Sequence, residues 1–345
     1  MNKLTKVGCS ALCGSLAAIS AANAGDLAVT GSAHVTYMSN SGNTTGNPFG
    51  MASAVTFKGS GELDNGWGWN FTIDETDTVA FSAARVDITM GGLGTIEFDQ
   101  GNSGNGIAAY DNVLPTAWEE AHGAGLSGGV KTVVGSGSSD NIQYTTPTVL
   151  GTTIALTYAH DIGSSDTADK STGNSNDLTG RGYDATVKIN PSLGTEILSG
   201  LNLYAGASTI ELYQGANERD RYEGVGAVTY ALGPVEVGAM WSGLYTGVET
   251  AAEYHTYKNH GFGIAFNVND DLSISYGEYQ SRKAGYESQA AQEGEDMRVV
   301  EVTSWQAAYT MGGASFRIAD VKADNVLWNN VADESATIIS MGLAF

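Results

Sequence analysis

The chain has 345 residues, among them 46 glycines, 5 prolines and 2 cysteines, and carries 38 Asp and Glu against 16 Lys and Arg for a formal charge of −22. That balance excludes a basic nucleic-acid binder, a disulfide scaffold and a zinc-cluster protein. Charged residues are only 16% of the chain, against roughly a quarter of an average soluble domain, while mean hydropathy is −0.12, which excludes both a helical membrane bundle and an ordinary charged-surface enzyme.

Residues 1–24 read as a secretory signal peptide: Lys3 and Lys6 form a positive head, Val7 to Ser20 an apolar run, and Ala22-Asn23-Ala24 a small-residue cleavage site. Cys9 and Cys13 both lie inside it, so the chain expected after cleavage, residues 25–345, has no thiol, and losing Lys3 and Lys6 takes its formal charge from −22 to −24. Beyond Ala24 no stretch approaches the roughly 18 uninterrupted apolar residues of a membrane-crossing helix. Any crossing has to be made by strands.

From Gly25 onward the dominant period is two, in segments of about ten residues divided by turn chemistry. Leu27, Val29, Gly31, Ala33, Val35 and Tyr37 share one face of the first segment, and Asp26, Thr30, Ser32, His34 and Thr36 the other. Trp67, Trp69, Phe71 and Ile73 alternate with polar residues next, followed by Ile154, Leu156 and Tyr158, then Phe262, Ile264 and Phe266, then Trp305, Ala307, Tyr309 and Met311. Short connections such as Asp64-Asn65-Gly66, Gly91 to Gly94 and Asn269-Asp270-Asp271 alternate with long ones: Ser39 to Gly50, Gln100 to Ser139, Asp161 to Arg181, Thr209 to Asp220, Gly243 to Tyr254, Ser281 to Met297 and Ala323 to Asp333. Glu75 to Thr78 is short where a long one is due.

Seven turns and eight loops predict an all-β, antiparallel up-and-down transmembrane barrel of about sixteen strands, in one domain spanning 25–345. The reason is that backbone N–H and C=O groups find no water in hydrocarbon, so only a closed sheet satisfies them all. A soluble sandwich also alternates, but its strands usually run five or six residues and do not divide short turns from long loops so regularly.

The final segment places Thr337, Ile339, Met341, Leu343 and Phe345 on one face and stops at an aromatic ring suited to a membrane interface. A terminal Phe345 preceded by Leu343 and Met341 resembles the insertion signal read by the barrel-insertion machinery of Gram-negative outer membranes. Leu93 to Gln100, Asp140 to Pro147 and Val268 to Gly277 resemble the fifth strand, the sixth strand and a late hairpin of the general diffusion porins, which are sixteen-stranded and usually trimeric. The resemblance covers 25–345. It implies an outer-membrane homotrimer in contact with lipid and lipopolysaccharide, acting as a water-filled channel for ions and small hydrophilic solutes.

It also implies that the long third loop, Gln100 to Ser139, folds into the lumen and sets acids against a basic wall. The acids are Asp111, Glu119 and Glu120, with Asp99 at the loop's root. The wall candidates are His34, Lys58 and Arg85, with Gln143 and Thr145 where the family often has another base. The thinned wall and the strongly negative chain predict a preference for cations. Two departures stand out. The short Glu75 to Thr78 loop weakens the case for a trimer latch, and Leu114 to Glu120 replaces a Pro-Glu-Phe-Gly turn.

Other readings are a solvated acidic outer loop for Asp111, Glu119 and Glu120, and pairing of Lys58 or Arg85 with Glu62 or Asp87. The acidic stretches Asp161 to Asp169, Glu287 to Asp296 and Asp320 to Asp324 are expected outside, where divalent cations bridge lipopolysaccharide, although no calcium-loop spacing is present. A solute-selective porin is the runner-up, with an adhesive or enzymatic barrel behind it. No nucleophile motif surrounds any of the five histidines, and the sequence points to no cofactor, metal centre or catalytic group.

Overall fold

The computed structural model describes residues 25–41, 46–77, 83–100, 104–162, 179–191, 198–213, 219–247, 256–284, 299–329 and 332–345. The leader read at 1–24, and most of the acidic stretches beginning at Asp161 and Glu287, lie outside them.

The strands are β1 (Asp26–Ser41), β2 (Phe49–Glu62), β3 (Gly68–Thr76), β4 (Ala83–Thr89), β5 (Thr95–Gln100), β6 (Asn141–Thr145), β7 (Thr152–Ala159), β8 (Thr179–Ile189), β9 (Leu201–Leu212), β10 (Arg221–Leu232), β11 (Val235–Tyr245), β12 (Thr256–Asn267), β13 (Leu272–Ala284), β14 (Val299–Met311), β15 (Ala314–Asp324) and β16 (Glu334–Ala344). Each pairs antiparallel with its chain neighbours, and β1 pairs with β16, so the sheet closes on itself with no free edge. At the seam Val35 faces Met341 and Tyr37 faces Ile339. Gly31 and Phe345 exchange two backbone hydrogen bonds, of 2.9 and 3.0 Å. Among the described residues no helix is long and apolar enough to cross a membrane.

Side-chain alternation follows the sequence period. Val35, Tyr37, Phe71, Ile154, Leu156, Phe262, Trp305, Tyr309, Ile339, Met341 and Leu343 are exposed on the outside of the barrel. An outward face of this kind is solvated by hydrocarbon, and the ladder satisfies the backbone behind it.

The apolar core lies inside the cylinder. Ile107, Leu114, Leu126 and Val133 of the connection 101–140, hereafter L3, pack against Met240, Tyr279, Val300, Val302, Val321 and Ile338 of the wall. Burying each aliphatic side chain contributes roughly 1.5–3 kcal/mol. L3 is thus a folded lining of one half of the barrel.

Several strands outrun their sequence boundaries. β13 continues to Ala284, β11 to Tyr245 and β15 to Asp324, so Asp320 to Asp324 is strand and not an outer acidic loop. The reason is that the ladder uses backbone groups alone. Polar side chains at the top of a strand hide its continuation in a hydropathy pattern without interrupting its pairing.

Candidate functional site

L3 leaves β5, runs along the inner wall and returns to β6, and polar side chains from distant strands hold it. Gln143 on β6 accepts from Gly106 N–H at 2.9 Å and donates to Asn105 at 3.1 Å. Asp184 on β8 accepts from Ile107 N–H at 2.9 Å, and from Ser136 through its N–H and through its hydroxyl at 2.6 Å. Glu223 on β10 accepts from Val134 N–H at 2.6 Å. Gln306 on β14 accepts from the N–H groups of Trp118 and Glu119 and donates to the Glu119 carbonyl at 2.6 Å. Asn259 on β12 donates to the Lys131 carbonyl, and Ser275 on β13 accepts from Ala117 N–H. Gly106 and Gly135 have φ of +62° and +59°, and a Cβ at either would collide with the Asp184 carboxylate. Glycine there allows both the left-handed turn and the close approach.

This course covers one side of the lumen and leaves the other open. Val300, Val302 and Ser304 on β14 have no exposure, whereas no residue of β1 or β2 is buried. The register sets one inward-facing row across this wall, with Lys58 opposite Thr72, Thr72 opposite Arg85, Arg85 opposite Asp99 and Asp99 opposite Asn141; Thr72, Asp99 and Asn141 are buried, and Lys58 and Arg85 are the members that reach the open side. Lys58 is exposed. Arg85 lies 3.5 Å from Asp87 and 3.7 Å from Glu97, so its charge is shared with two wall acids.

Below L3, toward the short-turn end, lies a cavity of about 800 Å³ lined by Asn112 to Glu119, His34, Glu236, Asp271 and Arg317. Arg317 on β15 lies with its guanidinium carbon 5.8 Å from the Trp118 ring centre and Nη1 3.5 Å from His34 Nδ1. Glu119 is exposed to this space. Burial nevertheless raises its carboxyl above the usual range, opposed by attraction to Arg317.

The other two loop acids turn away from solvent. Glu120 is buried and accepts from Leu114 N–H at 2.8 Å, while its second oxygen lies 3.8 Å from His122 Nδ1. Burial pushes Glu120 up to about 8, against the Leu114 hydrogen bond and aided by Asp111. Burial also pushes Asp111 up to about 6, and His122, whose ring packs 4.3 Å from that of Tyr279, down to about 4.

The residues singled out in the sequence therefore divide. His34, Lys58, Arg85 and Glu119 reach the open lumen. Asp99 is fully buried where L3 leaves β5, Asp111 is half-buried, Glu120 is enclosed within the loop, Gln143 lies under the loop's root and Thr145 is half-buried beside it. Arg317 escaped the sequence reading, although Phe316 and Ile318 on either side place it on the opposite, inward face. The anchors Asp184, Glu223 and Gln306 also sit at alternate positions, but nothing local marks them as loop supports. Among the described residues no group of three or more His, Cys, Asp or Glu side chains is placed to hold a metal ion.

A closed sixteen-stranded barrel with an apolar outer face, narrowed from within by a folded loop and lined by charge on its open side, defines an outer-membrane channel of the porin class. A family model described as Gram-negative porin matches residues 8–344, and the chain belongs to that family. No curated protein matches the sequence. Among solved structures, a porin refined at 1.8 Å superposes with a TM-score of 0.65 at 14% identity, covering 92% of this chain and all of that one. An anion-selective porin from Comamonas acidovorans gives 0.63 at 13% identity, covering 92% and 99%. Salmonella typhi OmpF in complex with daunomycin gives 0.66 at 12%, covering 93% and 98%. At such identities the likeness is one of fold, and the family places the protein in the outer membrane as a diffusion channel.

Proposed function

We propose that the protein is a non-enzymatic, cation-preferring pore for ions and small hydrophilic solutes, working as a homotrimer after removal of residues 1–24. The observation that carries this reading is the one-sided course of L3, which leaves Lys58, Arg85 and His34 beside an unfilled passage. Fold alone does not give the sign of selectivity, since an anion-selective porin has the same barrel. Lumen charge does. Arg85 is compensated by Asp87 and Glu97, and Glu119, Glu236 and Asp271 outnumber Arg317 around the vestibule. Fixed negative charge in a narrow, partly desolvated passage raises the local cation concentration.

The test is the reversal potential across planar bilayers separating unequal concentrations of potassium chloride. A potential on the cation side supports the reading, and an anion-selective value overturns it. Chemical cross-linking of the folded protein in detergent tests the trimer. Leu27, Phe49, Met51, Phe57 and Phe71 on β1–β3 give an apolar outer face for packing between subunits or for lipid and lipopolysaccharide chains.

A further inference from the structure

The vestibule below L3 has a charge arrangement that simple ion conduction does not require. Among the residues lining its roughly 800 Å³, Arg317 is the single Lys or Arg, whereas Glu119, Glu236 and Asp271 are acidic. Arg317 has no carboxylate within 4.0 Å among the described residues, so its guanidinium is held by a ring face and an imidazole and keeps donors free. Trp118 is fixed by its backbone, whose N–H is donated to Thr116 Oγ1 at 3.0 Å and to Gln306 Oε1 at 3.1 Å. The cavity has the volume of a small-molecule site, about 300–1,000 Å³.

Resting on the channel reading above, we infer that this vestibule is a subsite for zwitterionic solutes of the α-amino-acid type, the carboxylate docking on Arg317, the ammonium facing Glu119, and a flat apolar side chain lying along Trp118. A lone anion entering the cavity meets three acids for one guanidinium. A lone cation satisfies the acids and leaves Arg317 unused. A molecule carrying both charges a few bonds apart satisfies both walls, and Arg suits the carboxylate because its planar fork can donate two parallel hydrogen bonds.

The experiment uses the full folded chain in planar bilayers, with L-phenylalanine added to each side in turn and compared with phenylpropionate and phenylethylamine, which keep only the carboxylate or only the ammonium. L-phenylalanine is expected to modulate the single-channel current at about fivefold lower concentration than either analogue, the factor of a half-exposed ion pair. That advantage should be lost in Arg317→Gln and partly retained in Arg317→Lys. Equal potency of phenylethylamine and L-phenylalanine on the unmodified protein, or an advantage that survives in Arg317→Gln, would overturn the subsite while the pore still conducts. A chain that gives no conductance at all would defeat the channel reading and the subsite with it.

Discussion

The Asp184 carboxylate on β8 holds Ser136 near the end of L3 by both the backbone N–H, at 3.0 Å, and the hydroxyl, at 2.6 Å, and the same carboxylate takes the N–H of Ile107 near the loop's start. One wall side chain therefore ties the outgoing and returning arms of the loop together. Hydrogen bonds to a charged acceptor contribute about 1.5–3 kcal/mol each and do not add fully. Asp184→Ala is expected to weaken loop docking by on the order of 3 kcal/mol. The single-channel current should become larger and noisier, and proteases should cleave the chain within 104–140 while leaving the barrel intact. A quiet, unchanged channel would show that the loop is held elsewhere.

The contrast between barrel and loop explains what the sequence discloses. Strands announce themselves because each residue of β1 sees lipid or lumen in strict turn, so Leu27 to Tyr37 repeats the physics of a two-sided wall. The course of L3 has no such period. Its position depends on partners remote in the chain, with Ser136 bound 48 residues away and Glu119 bound 187 residues away. An acid in the loop thus looks the same in sequence whether it faces the lumen, as Glu119 does, or is enclosed like Glu120. Arg317 lay within reach of the alternation argument, since its neighbours Phe316 and Ile318 are both exposed to lipid.

Loop docking should depend on pH with opposite signs at two positions. Glu120 has a docked pKa of about 8 against an ordinary 4.5, so the docked loop binds the extra proton; its contribution is complete below about 4.5 and is lost as pH rises through about 8. His122, lowered to about 4 from 6.5, contributes fully above about 6.5 and loses that contribution as pH falls toward 4. Asp111, raised from an ordinary 3.8 to about 6, loses its contribution between those values and so offsets the gain at His122 over most of the same range. Current noise should therefore be lowest below about pH 4.5 and rise as pH climbs to about 8. Glu120→Gln, which mimics the protonated acid, should flatten that rise, most of all between about pH 6.5 and 8. A variant as noisy as the unmodified protein above pH 8 would remove Glu120 from the explanation.

Lys58 and Arg85 share the same register row but differ in their partners. Lys58 makes no ion pair among the described residues, whereas Arg85 faces Asp87 and Glu97. Lys58→Glu is expected to shift the reversal potential toward cations with little effect on thermal stability, because an exposed lysine contributes little to folding. Arg85→Glu should shift it further and lower the unfolding temperature as well, since three carboxylates would crowd one wall. Equal shifts with equal stability would mean that the wall acids are indifferent to Arg85.

Phe345 lies at the seam that closes the cylinder. Its backbone exchanges two hydrogen bonds with Gly31, and its ring lies where a Cβ at Gly31 would stand, within 2.8 Å of Cε2. Gly31→Ala should therefore displace the ring without removing it, whereas Phe345→Ala removes the ring and leaves both hydrogen bonds possible. If the ring serves only as an insertion signal, Phe345→Ala should slow assembly into the outer membrane while the barrel that does assemble keeps its heat resistance. Packing at the seam predicts more: both variants should lower the temperature at which the folded, faster-migrating species converts to the unfolded one on gels, by a few degrees, as expected for about 1 kcal/mol in a chain of this size. Unchanged conversion temperatures in both variants would confine Phe345 to targeting.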